Sequence, residues 1–341
     1  MKRFEVKGVA MRWVLRIVFV AVVLWLAYWF GAAFFIKNQF QAALSEARAR
    51  GIEAEAELAL SGAPARFDLR LSDISLYDPM RDAGWQSPEA LISAEAWAPW
   101  HLVAALPAVQ NFRHAGQSFD LASSDLRASL KLRPLPSLPL DDGRLSAQSL
   151  DLSSEGRSLF KSGALILALR HGGGTFYQLG GDIAEIALPA PLREALASTD
   201  MPASIDKVSG RVMAELTQPL DRAALRARIG ARSLQVDDVQ LLWGKLQINA
   251  NGHLQADAQG LAEGRLALTV KGWQELPPLL VAAKVLPPAY APLLANFLAS
   301  LAQQTGGESL TVDLVAKGGK LMLGPLTLAA APRLMPEAPL P

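Results

Sequence analysis

Between Lys245 and Gly272 the chain alternates apolar and polar residues with a strict period of two. Leu246, Ile248, Ala250, Gly252, Leu254, Ala256 and Ala258 take the even positions, and Lys245, Gln247, Asn249, Asn251, His253, Gln255 and Asp257 the odd ones. A helix would scatter such a series around its circumference. A strand sends successive side chains to opposite faces, so this stretch predicts a strand with one apolar and one polar face. After Gln259-Gly260 the pattern resumes, with Leu266, Leu268 and Val270 against Arg265, Thr269 and Lys271. Two such strands around a glycine-containing loop predict an antiparallel pair. Asn251-Gly252 has the composition of a hairpin turn. The alternation runs through it without a change of phase, which predicts one long strand. Both a closed sandwich core and an open surface for an apolar ligand fit this pattern.

The same half-apolar pattern recurs along the chain. Ile52, Ala54, Ala56, Leu58 and Leu60 alternate with Glu53, Glu55 and Glu57, and after Gly62-Ala63-Pro64, Phe67, Leu69 and Leu71 alternate with Arg66, Asp68 and Arg70. The glutamate row reads as a solvated outer face. Asp78-Pro79 and Gly84-Trp85 read as turns. Further strands are expected at Ala90–Ala96, Phe119–Ala122, Asp125–Leu132, Leu145–Leu152, Ala164–Arg170, Val208–Leu216 and Ser233–Val236. At Asp237-Asp238 the phase shifts by one, which predicts a turn between strands. Leu310, Val312 and Leu314 alternate with Ser309, Thr311 and Asp313, and Leu321–Leu328 closes the sheet. Pro134, Pro136 and Pro139 interrupt the strands and mark the best internal boundary.

Helical patterns are few. Asn38–Arg50 reads as a short helix that Gly51 can end. Pro191–Ala197 predicts another. Pro277–Gln304 predicts a pair, broken at Pro287-Pro288 and stopped by Gly306-Gly307. Leu293, Leu294, Phe297, Leu298 and Leu301 make the second piece apolar over much of its surface, so it must cover something apolar. The tail after Pro332 reads as loose.

Ile17–Ile36 is a run of twenty residues without a charge, long enough as a helix to cross a hydrocarbon core. Trp13, Trp25, Tyr28 and Trp29 are rings suited to membrane interfaces, although Trp25 falls near mid-span. Residues 1–37 hold Lys2, Arg3, Lys7, Arg12, Arg16 and Lys37 against Glu5 alone. That bias places the N-terminus in the cytoplasm and everything after Lys37 across the membrane. The length of the run and the lack of a small-x-small site after it favour an uncleaved anchor over a signal peptide. The whole chain carries a net charge of +1, so the part beyond the anchor is net acidic, which argues against nucleic acid as a partner.

Catalytic motifs are missing. The chain has no cysteine, hence no disulfide framework, thiolate metal site or cysteine nucleophile. His101, His114, His171 and His253 are scattered without metal-ligand spacing. His171-Gly172-Gly173-Gly174 is similar to a lipase oxyanion-hole loop, but no G-x-S-x-G elbow accompanies it, and a loop after a strand is the reading taken. No phosphate-binding or dinucleotide fingerprint occurs. A non-enzyme without cofactor or metal is expected.

Two regions carry a resemblance. The first is Gly62-Ala63-Pro64-Ala65-Arg66-Phe67-Asp68-Leu69, followed by Asp78-Pro79 and Gly84-Trp85. The second comprises Leu241-Leu242-Trp243-Gly244, Gly252, Gly260, Glu263-Gly264, and Gly318-Gly319-Lys320 through Leu323-Gly324-Pro325-Leu326. With the anchor, they resemble a bacterial family of membrane-anchored envelope proteins of unknown function, and more widely the AsmA-like proteins, which are grouped with bridge-like lipid-transfer proteins. The resemblance implies a mainly β chain: an N-terminal transmembrane helix, then an elongated, curved antiparallel sheet, groove or sandwich, with a few short helices. It further implies a single-pass protein of the bacterial inner membrane whose bulk is periplasmic. The chain is short for a structure that bridges two membranes alone.

The expected organisation is cytoplasmic N-terminus and anchor at 1–37, β-rich parts at 38–133 and 134–332, and a tail at 333–341. Acyl chains are the expected ligand, with envelope proteins as further partners. Candidate groove residues are Leu246, Ile248, Leu254, Leu266, Leu268, Val270, Leu310, Val312 and Leu314, with the Pro277–Gln304 helices capping one end. The alternative is an envelope scaffold whose apolar faces close on each other.

Overall fold

The computed structural model describes residues 5–196, 200–224, 227–304, 307–324 and 326–336. The chain is mainly β, with antiparallel sheet throughout, one long N-terminal helix and a few short ones. It divides into two compact units, Met1–Ser118 and Phe119–Pro341. The proline-rich stretch at 134–139, expected to mark the boundary, is a loop within the second unit. Of the positions singled out above, Lys2, Arg3, Ala197, Gly306, Pro325 and residues 337–341 lie outside the described residues.

In the first unit α1 (Glu5–Ala49) is a single helix of 45 residues that carries the charge-free run and its extension without a break. It ends where Gly51 adopts a positive φ of 82° and Ile52 N donates to Ala47 O. β1 (Glu53–Ser61) pairs with β2 (Arg66–Asp78), and β2 pairs with β3 (Ala83–Glu95). One end of β3 pairs with β4 (Ala98–Ala105) and the other with β5 (Val109–His114). Gly84-Trp85 is not a turn. Both residues lie in β3, opposite Tyr77 and Leu76, and the chain reverses just before them, where Asp82 takes a positive φ.

β6 (Gln117–Ser124) runs across the division, and the second unit continues with β7 (Arg127–Leu132), β8 (Leu140–Ala147), β9 (Ser149–Ser154), β10 (Arg157–Ser162), β11 (Leu165–Gly173) and β12 (Phe176–Ala187). The short helix α2 (Ala190–Ala195) leads to β13 (Ser204–Leu216), β14 (Ala231–Trp243), β15 (Leu246–Ala256) and β16 (Ala262–Lys271). Then come α3 (Leu276–Ala282), α4 (Ala291–Gln304), β17 (Ser309–Lys317), β18 (Lys320–Leu323) and β19 (Leu326–Ala330). β7, β8 and β11 to β19 form one antiparallel ladder in the order β7-β8-β11-β12 and onward in sequence. β9 pairs with β6 and β10.

β15 is one strand through Asn251-Gly252, as the unbroken alternation predicts. The phase change at Asp237-Asp238 has a different cause from the one expected. β14 runs straight through it, and the pairing with β15 shifts between Val236 and Val239. A bulge adds residues to one strand only, which changes the alternation exactly as a turn would in sequence while it bends the strand in space. Leu145–Leu152 splits into β8 and β9, and Leu321–Leu328 into β18 and β19 around Gly324. Residues 333–336 of the tail are tied down rather than loose: Ala231 N donates to Leu334 O, and Leu334 N to Gly260 O, both at 2.8 Å.

Candidate apolar binding face

The register of the second unit places the nine candidate residues on one face of three adjacent strands. Residues directly opposite each other on paired strands share a face. Ile248, Val270 and Leu310 therefore stand in one row, Leu268 and Val312 with Ala250 in the next, and Leu266 and Leu314 with Gly252 in a third. Leu246 flanks the first row opposite Trp243, and Leu254 lies beyond the third, opposite Gly264. The polar positions point the other way. His253 is exposed there, and Arg265 pairs with Asp313 at 3.2 Å.

The chain itself covers this part of the face. Leu279 and Leu286 of the α3 region, and Leu294, Leu298 and Ala302 of α4, pack into one cluster with Leu246, Val270, Leu310 and Val312. Leu246, Val270 and Leu310 are at most 2% exposed. Ile248, Leu268 and Leu314 are half-buried against the same cluster. The cap expected from the Pro277–Gln304 pattern is thus seated on the sheet. Leu254 and Leu266 belong to a smaller cluster with Ala262, Ala316, Ala331 and Leu334, so the C-terminal segment covers that end.

The rows do not stop at the covered strands. The first continues through Leu241, Val208 and Ile183 to Leu165. The second continues through Val239, Gly210 and Gly181 to Leu167, Leu145 and Ala128. The third continues through Val236, Val212 and Leu179 to Leu169, Gly143 and Leu130. Leu165, at the end of the first row, is buried, but in the second and third rows three side chains come into the open: Leu130 is 39% exposed, Leu167 38% and Leu179 42%. Isolated exposed leucines need no explanation, but a contiguous aliphatic patch marks an interaction surface.

Sequence reasoning nominated the covered strands and missed these. In β11 the run Leu165-Ile166-Leu167-Ala168-Leu169 is apolar on both faces, so period two is hidden. In β12 Gly180-Gly181 interrupts it. The one available signal was Leu126-x-Ala128-x-Leu130-x-Leu132, which alternates as cleanly as β15.

Two polar constellations stand elsewhere among the described residues. His171 lies near the end of β11, its ring edge-on to Tyr177 at 5.2 Å and its Nε2 3.2 Å from Gly174 O. Tyr177 is fully buried, and its hydroxyl accepts from Leu220 N at 2.8 Å. In the first unit, Tyr77 OH and Arg113 Nε both donate to Asp82 Oδ1, at 2.9 and 3.2 Å, and the guanidinium lies over the Tyr77 ring. The hydrogen bond from Tyr77, helped by Gly116 and the Arg113 charge, holds the Asp82 carboxyl below its usual range, and the same bond pushes the Tyr77 hydroxyl up.

What the open rows offer is a hydrocarbon surface. No curated protein and no solved structure matches the chain. Residues 29–332, which include the end of the apolar run and nearly all of both units, match a family described as "Uncharacterized protein conserved in bacteria (DUF2125)", and the chain belongs to that family.

Proposed function

We propose that the protein is a non-enzymatic, single-pass protein of the bacterial inner membrane that binds lipid acyl chains on the open part of its sheet face. The N-terminus is cytoplasmic, and the chain after Lys37 lies on the periplasmic side. The observation that carries the reading is the continuity of the apolar rows: dry under α3 and α4, uncovered at Leu130, Leu167 and Leu179. The uncovered rows consist of Leu, Val, Ile, Ala and Gly, without a polar side chain to orient a ligand. A surface of that kind suits a featureless chain, whose burial stabilises by about 25 cal/mol per Å² of apolar area. A helix long and apolar enough to cross a bilayer stands at the head of the same chain. The likeness to AsmA-like proteins points the same way. On this reading α3 and α4 close one end of the face.

Photo-crosslinking in cells tests the ligand. A photoreactive residue at Leu167 or Leu179 is expected to give lipid adducts, and one at Arg170, in the same strand but facing away, none. Folded, abundant protein whose adducts at 167 and 179 are proteins alone would reject the lipid reading in favour of an envelope scaffold. Topology has its own check. A reporter active only in the periplasm is expected to work when fused after Pro341 and to fail when fused before Met1; the reverse pattern would overturn the orientation.

A further inference from the structure

The first unit is bound to the middle of the apolar run, not to its end. Trp25 Nε1 donates to Pro64 O, Tyr28 OH to Ala96 O and Trp29 Nε1 to Arg66 O, each at 2.9 Å. The Trp29 ring stacks on Phe67 with centroids 5.6 Å apart and planes 15° from parallel. Trp29, Ala33, Phe67 and Ala96 close into a small buried core, with Ile36 and Leu60 packed against it. Farther along the helix, Arg48 Nε donates to Ala54 O at 2.8 Å, so β1 runs back beside α1 toward the N-terminus of the chain. The β1–β2 tip (residues 62–65) and the β3–β4 tip (Ala96-Trp97) are therefore level with Trp25 and Tyr28. Trp25 precedes Ile36 by eleven residues, about 16 Å along a helix axis. That is roughly half the thickness of a hydrocarbon core.

Much of the remaining circumference of the same stretch of helix is bare. Phe30, Phe34 and Phe35 are each more than 60% exposed. Such a surface needs lipid around it, which puts the leaflet at the level of the two tips. Irregular backbone is tolerated at membrane depth only where protein satisfies its polar groups. The three aromatic donors do this for the carbonyls of Pro64, Arg66 and Ala96. The first tip is Ala63-Pro64-Ala65, uncharged and without an N–H on the proline. The second presents Trp97, 57% exposed, a ring suited to the interface. Behind the tips Arg66 is paired with Asp68 at 3.1 Å, a charged row fit for the headgroup layer.

We infer that the two tips form a wedge inserted into the leaflet on one flank of the span, with lipid tails around the rest of the helix against Phe30, Phe34 and Phe35. The partner is the bilayer itself, thinned on the side where the charged row behind the tips draws headgroups inward. This rests on the reading that α1 crosses a membrane, and the experiment separates the two.

The absence of cysteine makes single-site labelling direct. Full-length protein with one spin-labelled cysteine, at Ala65, Trp97, Phe34 or Met80, is reconstituted in phosphatidylethanolamine–phosphatidylglycerol vesicles. All four side chains are exposed, and Met80, 91% exposed at the far end of the β2–β3 hairpin, is the water reference. Accessibility to oxygen against a water-soluble nickel chelate reads the depth. The expected result is oxygen-rich, nickel-poor behaviour at 34, 65 and 97, with the reverse at 80. Lipid behaviour at 34 with water-like behaviour at 65 and 97 would overturn the wedge and leave the span standing. Water-like behaviour at 34 would overturn the span and the wedge together.

Discussion

Leu298→Asp is expected to leave the second unit unfolded, and Leu298→Ala to cost about 2–5 kcal/mol. Leu298 is fully buried in α4, in one cluster with Leu246, Val270 and Leu310 of the sheet. A carboxylate there would have neither water nor a partner, and burying such a charge is among the few single changes that can consume the whole stability of a domain. Leu293→Asp is the control: it lies in the same helix, five residues earlier, and is 56% exposed. Its melting curve should follow the parent's. If Leu298→Asp also melted like the parent, α4 would not be seated on the sheet in solution, and the division of the face into a dry end and an open end would fall with it.

Gly264→Ala is expected to be the most damaging single methyl group in the sheet. Gly264 sits in β16 at a φ of +148°, and an added Cβ would strike His253 O on β15. Gly252 mirrors it in β15: the same φ, and a Cβ that would strike Arg265 O on β16. In both cases the obstacle is the neighbouring backbone, which cannot move aside as a side chain could. The conformation alone costs a residue with a Cβ about 1–3 kcal/mol, before the ladder is disturbed. Gly318→Ala provides the comparison, since Gly318 has a φ of +56° but open space where the Cβ would go. It should lose only the left-handed penalty of about 1–2 kcal/mol. Denaturant unfolding of the three variants should rank Gly264→Ala and Gly252→Ala well below Gly318→Ala. Equal midpoints would show that the strands do not approach as closely as this.

These two glycines show where the sequence was legible and where it was not. Alternation identified β15 and β16 because each has one face to bury, and it carried through Gly252 because a missing side chain does not change phase. It could not reveal why glycine stands there, since the cause is a close approach between two strands. The bulge at Asp237-Asp238 was visible as a phase change, but a sequence has no term that separates a bulge from a turn; the difference lies in the pairing of β14 with β13 and β15. The apolar surface of the Pro277–Gln304 helices required a cover. Which side of which strands they would choose is a tertiary fact, and it took the covered residues out of the open part of the face. β4, β5, β10 and β12 were not anticipated at all. β5 and β10 are six residues long with several polar side chains, and in β12 the glycine pair breaks the alternation. The open leucines of β11 and β12 were hidden by the run that is apolar on both faces in one strand and by the glycine pair in the other.

The helix α1 has one more consequence. It passes from the apolar run to the start of β1 without a hinge, and it is clasped to the sheet at Trp25, Tyr28 and Trp29 near its middle and at Arg48 near its C-terminal end. A tethered domain hangs from slack chain and is indifferent to the tilt of its anchor. A domain built on a continuous rod has no slack, so any tilt the bilayer imposes on the rod is imposed on the sheet as well. With α1 spanning the bilayer as proposed, the thickness of the membrane becomes a mechanical input, read out as the angle at which the first unit stands.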